Sequence, residues 1–124
     1  MKLWLMSASV FVCVIVSLFF LLRKKKKKSN QNADFYYFYT TWCPYCKKSM
    51  VEWTKFKEEW NQKTYQGYTL YFHEVDCDIE ETVANKYNVT QYPTIKLIKD
   101  DTIFEFDAKP TIHTLTAFLN SNFE

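Results

Sequence analysis

The hydrophobic pattern divides the chain into two unequal parts. Leu3 to Leu22 is an unbroken uncharged run, which as a helix rising about 1.5 Å per residue would span roughly 30 Å, the depth of a hydrocarbon core. It ends directly in Arg23 and Lys24 to Lys28. A cleaved signal peptide would have a shorter apolar stretch and a small-residue cleavage site, so residues 3–22 read as a lasting transmembrane helix. Beyond it the apolar positions come in short segments. Asp34 to Tyr39 is dense in aromatics and too short for a helix, which predicts a buried strand. Cys46, Met50, Trp53, Phe56 and Trp60 recur at helical spacing, so a helix is expected from Pro44 to about Trp60. Gly67 breaks the chain before a strand over Tyr68 to Asp76, and Ile79, Val83 and Tyr87 mark a short helix. After Tyr92-Pro93, Thr94 to Ile98 alternates as a strand, and Asp100-Asp101 turns the chain into Ile103 to Phe106. Thr111 to Phe123 closes as a helix with Ile112, Leu115, Phe118 and Leu119 on one face. The expected order is β-α-β-α-β-β-α, an α/β domain on a mixed sheet over residues 34–124, joined to the apolar run by a basic tether, 23–33.

Charge changes this picture in one respect. Lys2, Arg23 and Lys24 to Lys28 hold seven of the sixteen basic residues, whereas all fourteen acids lie from Asp34 onward. Residues 29–124 therefore carry nine Lys against fourteen Asp and Glu, a net −5. That excludes a nucleic-acid-binding domain, which needs a basic face to neutralise phosphates. The basic run instead predicts that the domain lies on the cytosolic side, close to anionic lipid headgroups. Cys13, inside the apolar run, reads as a small lipid-facing hydrophobe. At 48% apolar and 24% charged the chain is not disordered. Its excess of Phe and Tyr over Gly and Arg reads as coding bias of an AT-rich genome. Four cysteines are too few and too unevenly spaced for a disulfide-stapled secreted scaffold.

The candidate chemistry lies at the junction of the first strand and helix, in Trp42-Cys43-Pro44-Tyr45-Cys46-Lys47. Two cysteines separated by two residues on a helix's first turn can close a disulfide. Cys43 falls at an N-cap-like position, with Pro44 in the first turn, where its missing N–H costs nothing. The first cysteine is expected to be the exposed one, at the positive end of the helix dipole, where a thiolate is favoured. Cys43 would attack a substrate disulfide and Cys46 would resolve the mixed disulfide from within the chain. The competing reading is structural zinc, which needs four ligands; the chain adds only His73 and Cys77 to the pair.

Three segments in order resemble the thioredoxin superfamily: the aromatic strand running into Trp42 to Lys47, then Val75-Asp76-Cys77, then Lys86 to Thr94 ending in Tyr92-Pro93-Thr94. The resemblance covers roughly Asp34 to Glu124. It implies a thioredoxin-like fold in minimal form, without the extra leading strand and helix, and a redox-active Cys43–Cys46 disulfide in place of any separate cofactor. It also implies that Pro93 is cis and faces the cysteine pair, and that the backbone of Tyr92 pairs with a bound substrate strand. Trp42, Pro44 and Tyr45 would complete the substrate-binding surface. Cys43-Pro44-Tyr45-Cys46 is itself the dithiol sequence typical of glutaredoxins, yet Thr40-Thr41 and Gln91-Tyr92-Pro93 depart from the glutathione-binding residues of that branch. The downstream half looks like thioredoxin or the domains of protein disulfide isomerase. Small membrane-anchored proteins of this kind are similar to ones encoded by large DNA viruses, so a viral membrane is one of the locations the resemblance allows.

The same resemblance exposes two departures. Where thioredoxins bury an acid six residues before the first cysteine, this chain has Tyr37, and Glu74 stands where their partner lysine would be. Glu74 alternates with Leu70 and Phe72, so it shares an apolar strand face, and two readings stand: a solvated strand-end glutamate, or a carboxylate that accepts the Cys46 proton with the Tyr37 hydroxyl nearby. Cys77 reads as a buried small hydrophobe, His73 as a solvated residue near a strand end, and His113 as an ordinary helix residue. Protein thiols and disulfides are the expected substrates, and a separate redox partner must recharge the pair. A redox-silent adaptor that displays Tyr92 to a partner, and a glutathione-dependent reductase, are the alternatives. Asn88-Val89-Thr90 is an N-glycosylation acceptor sequence, which a lumenal domain would expose to modification.

Overall fold

A computed structural model describes residues 10–19 and 31–124. Residues 10–19 are helical with outward-facing apolar side chains. Among the described residues no helix is long and apolar enough to cross a membrane. The rest of the expected transmembrane segment 3–22, and the basic run 23–28, lie outside the described residues.

The domain is a five-stranded mixed sheet with helices on both faces. Its elements are β1 (Gln31–Tyr39), α1 (Pro44–Trp60), β2 (Thr64–Tyr65), β3 (Tyr68–Asp76), α2 (Glu81–Lys86), β4 (Thr94–Lys99), β5 (Thr102–Glu105) and α3 (Ile112–Phe123). The strand order is β2-β3-β1-β4-β5. β1 runs parallel to β3 and antiparallel to β4, with Tyr37 opposite both Glu74 and Ile95. The strand expected from Asp34 begins at Gln31, so Gln31, Asn32 and Ala33, read as tether, are paired with Tyr68, Thr69 and Leu70.

Two-residue alternation along β1 decides which face each aromatic serves. Ala33, Phe35 and Tyr37 enter the larger core with Leu70, Phe72, Ile95 and Leu97, under Trp53 and Phe56 of α1 and Leu115 and Leu119 of α3. Phe35 stacks on Phe72 at 5.0 Å and meets Phe56 edge-on at 5.6 Å. Phe38 turns the other way and packs with Val75, Cys77, Ala84 and Val89 beside α2.

Two features depart from the pattern reading. β2 is an additional strand, paired antiparallel to the start of β3 through a two-residue turn. Gln66 and Gly67 both have positive φ, 49° and 85°, as such a hairpin turn requires, and Gly67 supplies the position a Cβ would crowd. Ile79 does not belong to the second helix's apolar face: it precedes α2 and is 81% exposed. The closing helix starts on a reciprocal cap, in which Thr111 and Thr114 each bond the other's backbone N–H.

Candidate functional site

β1 ends at Tyr39, and the chain crosses Thr40 to Trp42 before α1 begins. Cys43 is the N-cap of α1, its backbone extended (φ −80°, ψ 113°), and Pro44 occupies the first turn. Its sulfur accepts from the Cys46 N–H at 3.1 Å. A cap that is normally an oxygen is here a sulfur, so an N–H of the helix's first turn points at the reactive atom, an arrangement that favours a thiolate there. Cys43 and Cys46 are joined as a disulfide with their Cα atoms 5.2 Å apart.

Exposure does not distinguish the two cysteines as expected. Cys43 is 4% and Cys46 2% exposed. The cover over Cys43 comes from a distant part of the chain: its sulfur lies 3.6 Å from the Tyr92 carbonyl oxygen, and the Tyr92 ring meets Trp42 edge-on at 6.1 Å. The Tyr92–Pro93 peptide is cis. Trp42, just before the pair, and Tyr45, between its two cysteines, stand out to solvent, 65% and 73% exposed. Cys43, Cys46, Trp42, Pro44, Tyr45, Tyr92 and Pro93 therefore form one surface at the end of the sheet where β1 stops. Next to it is a groove of about 680 Å³ walled by Tyr45, Tyr92, Pro93 and Phe106.

Beneath the disulfide lies Tyr37, fully buried. Its hydroxyl donates to the Cys46 carbonyl oxygen at 2.9 Å and pairs with the Ser49 hydroxyl at 2.6 Å. Burial pushes the Tyr37 phenol above its ordinary range, against a smaller opposite effect of the Ser49 bond. Ser49 escaped the sequence reading, although its position three residues after Cys46 put it on the same helical face. Glu74 is on the core-facing side of β3, but its carboxylate reaches the edge of the core and is 34% exposed. One oxygen accepts from Trp53 Nε1 at 3.0 Å and from Lys57 Nζ at 3.1 Å. The bonds it makes thus tie β3 to α1 rather than reaching Cys46.

Cys77 is buried at 6% exposure, its thiol 3.7 Å from the Val75 carbonyl oxygen. Burial pushes this thiol upward, and Asp76, Asp78 and Glu80 add to the effect. Only the thiolate is alkylated, so in reduced protein at neutral pH Cys77 should react with iodoacetamide at least about tenfold more slowly than Cys43. Peptide mapping after timed labelling checks this; comparable rates would contradict it. His73 pairs with Asp34 at 2.7 Å and stacks on Tyr36 at 4.5 Å, away from the cysteine pair. Among the described residues no three His, Cys, Asp or Glu side chains gather as a metal site.

A profile of the family described as Thioredoxin matches residues 24–121. A probable protein disulfide-isomerase A4 of Caenorhabditis elegans is 33% identical over 69 residues, which is 56% of this chain and 11% of that protein. A probable protein disulfide-isomerase A6 of Medicago sativa is 29% identical over 85 residues, 67% of this chain and 22% of that protein. The chain thus spans between about a tenth and a fifth of the length of these relatives. Among solved structures, the first thioredoxin domain of mouse protein disulfide-isomerase A4 superposes with a TM-score of 0.63 at 22% identity, over 85% of this chain and 68% of that one. That likeness carries the fold.

Proposed function

Because the chain belongs to the thioredoxin family, we propose that it is a thiol–disulfide oxidoreductase that acts on protein disulfides through Cys43 and Cys46. The observation that carries the reading is the Cys43 sulfur, which caps α1, accepts the Cys46 N–H and lies beside the Tyr92 carbonyl next to cis Pro93. In the reducing direction the Cys43 thiolate attacks one sulfur of a substrate disulfide, and the other substrate sulfur leaves as a thiolate. Cys46, its proton lost, then attacks the Cys43 sulfur; the mixed disulfide breaks, the substrate leaves fully reduced, and the Cys43–Cys46 disulfide has formed. Two electrons move to the substrate, and a separate dithiol partner must restore the pair. Run backward, the same steps oxidise a substrate. The Tyr92 backbone receives the substrate strand, and Trp42, Pro44, Tyr45 and Pro93 contact its side chains. Glu74, on the strand beside Tyr37, is the carboxylate we assign to accept the Cys46 proton, and a Glu74→Gln variant with unchanged rate and pH profile would dispose of that role.

Reduction of insulin by the full-length chain with dithiothreitol as recharging thiol tests the reading. Precipitation of the freed B chain well above the dithiothreitol background is expected, and its loss in Cys43→Ser. Background rates from the unaltered protein would favour the adaptor alternative.

Residues 3–22 anchor this domain in a cellular or viral membrane, with Arg23 to Lys28 on the cytosolic surface. β1 then sets the reach of the site. The tether enters at Gln31 and the dithiol follows Tyr39, so the nine-residue strand holds the cysteines about 30 Å from the point of attachment. Asn88 should remain unmodified when the full-length protein is made in eukaryotic cells. A glycosidase-sensitive mobility shift abolished by Asn88→Gln would reverse the topology.

A further inference from the structure

The groove beside the dithiol carries a charge opposite to that of the domain around it. Lys48 of α1 and Lys109 of the β5–α3 connection both line it. Neither ammonium is ion-paired among the described residues. The one carboxylate in the lining, Glu52, is already committed: one oxygen accepts from Lys55 Nζ at 3.1 Å and the other from the Ile112 N–H at 2.9 Å. The Ile112 N–H, aided by Lys55, also holds the Glu52 carboxyl below its usual range, so it stays an acceptor for the α3 terminus. The groove therefore combines two cations with no ion-pair partner among the described residues with the apolar and aromatic side chains of Tyr45, Tyr92, Pro93, Ile95 and Phe106.

Most of the acids that make residues 29–124 net negative lie outside the lining; Glu52 is in it, and Asp107 falls between the lining residues Phe106 and Ala108. Asp76 ends β3, and Asp78, Glu80 and Glu81 follow it; β3 lies on the opposite side of β1 from β4, which contributes Ile95 to the groove. Asp100 and Asp101 occupy the β4–β5 turn at the far end of the sheet from Cys43. At physiological ionic strength charges act over about 8 Å, so a segment bound in the groove feels the lining lysines far more than Asp100 and Asp101 at the far end of the sheet.

We propose that the groove selects an extended protein segment bearing acidic residues beside its disulfide cysteine, with an apolar or aromatic side chain seated against Tyr45, Tyr92, Pro93 and Phe106. This rests on the oxidoreductase reading and names its substrate class. Lys48 and Lys109 are the specificity residues, and they act on substrate binding, not on the sulfur exchange itself.

The test uses the full-length chain and three fluorescent disulfide-linked peptides. All share one aromatic residue and differ only in having Glu, Gln or Lys on both sides of the cysteine. The Glu peptide should have kcat/KM about fivefold above the Gln peptide, the sum expected of two exposed charge pairs, and the Lys peptide should fall below it. In the Lys48→Gln, Lys109→Gln double variant, and in wild type at 0.5 M salt, the Glu-to-Gln ratio should approach one. Equal wild-type rates on the Glu and Gln peptides, or a preference undiminished in the double variant, would overturn the inference while leaving the oxidoreductase reading standing. Turnover of none of the three would overturn that reading, and the inference with it.

Discussion

Cys46→Ser should accumulate mixed disulfides with protein substrates in cells, whereas Cys43→Ser should accumulate none. The asymmetry follows from chain position. Cys43 caps α1 and receives the Cys46 N–H, so its thiolate is favoured and makes the first bond to substrate. Without Cys46 the remaining cysteine of residues 31–124, Cys77, cannot stand in for it, because it lies in the separate cluster around Phe38 and Val75. Turnover in either variant should fall by at least about a thousandfold, as expected when one member of an obligate pair is lost. Alkylation in acid followed by non-reducing electrophoresis reads the trapped species, and equal trapping by both variants would contradict the assigned roles.

The largest expected loss of stability is at Trp53. It is fully buried, its ring 5.1 Å from Tyr37 and 5.4 Å from Phe72, and its Nε1–H donates to Glu74. Trp53→Ala removes that ring from between α1 and the sheet and leaves a cavity beside Tyr37 and Phe72. A cost of about 3–5 kcal/mol is expected, a large share of the 5–15 kcal/mol typical of a domain. For a domain of this size that lowers Tm by roughly 15–30 °C. Urea unfolding should show the midpoint shifted with its slope unchanged. Ile79→Ala, at a side chain 81% exposed, should stay within about 0.5 kcal/mol of wild type. A Trp53→Ala change under 1 kcal/mol would contradict the core as described.

What the sequence made legible was governed by local period. The aromatic run of β1 and the Cys46, Met50, Trp53, Phe56 stripe of α1 could be read because burial repeats every two residues in one and every three to four in the other. β2 could not be read that way, since a strand of two residues has no period and depends on positive φ at Gln66 and Gly67. For the site, the position of Cys43 at a helix start was legible from Pro44 and the cysteine spacing. Its low exposure was not, because the cover comes from Tyr92, 49 residues away. The strand face of Glu74 was likewise visible in its alternation with Leu70 and Phe72. Its pairing with Lys57 depends on how α1 lies across the sheet, which no pattern within β3 encodes. Lys48 and Lys109 show the same limit in another form: only the return of the chain from β5 to α3 brings them to one groove.

Transfer of electrons between this pair and a protein disulfide tests the central claim most directly. Fully reduced full-length protein is mixed with oxidised insulin in the absence of any other thiol, and both partners are alkylated and weighed by mass spectrometry. Each molecule that closes the Cys43–Cys46 disulfide should yield two new insulin thiols, with Cys77 remaining reduced. Insulin left fully oxidised beside a still-reduced Cys43 and Cys46 would contradict it.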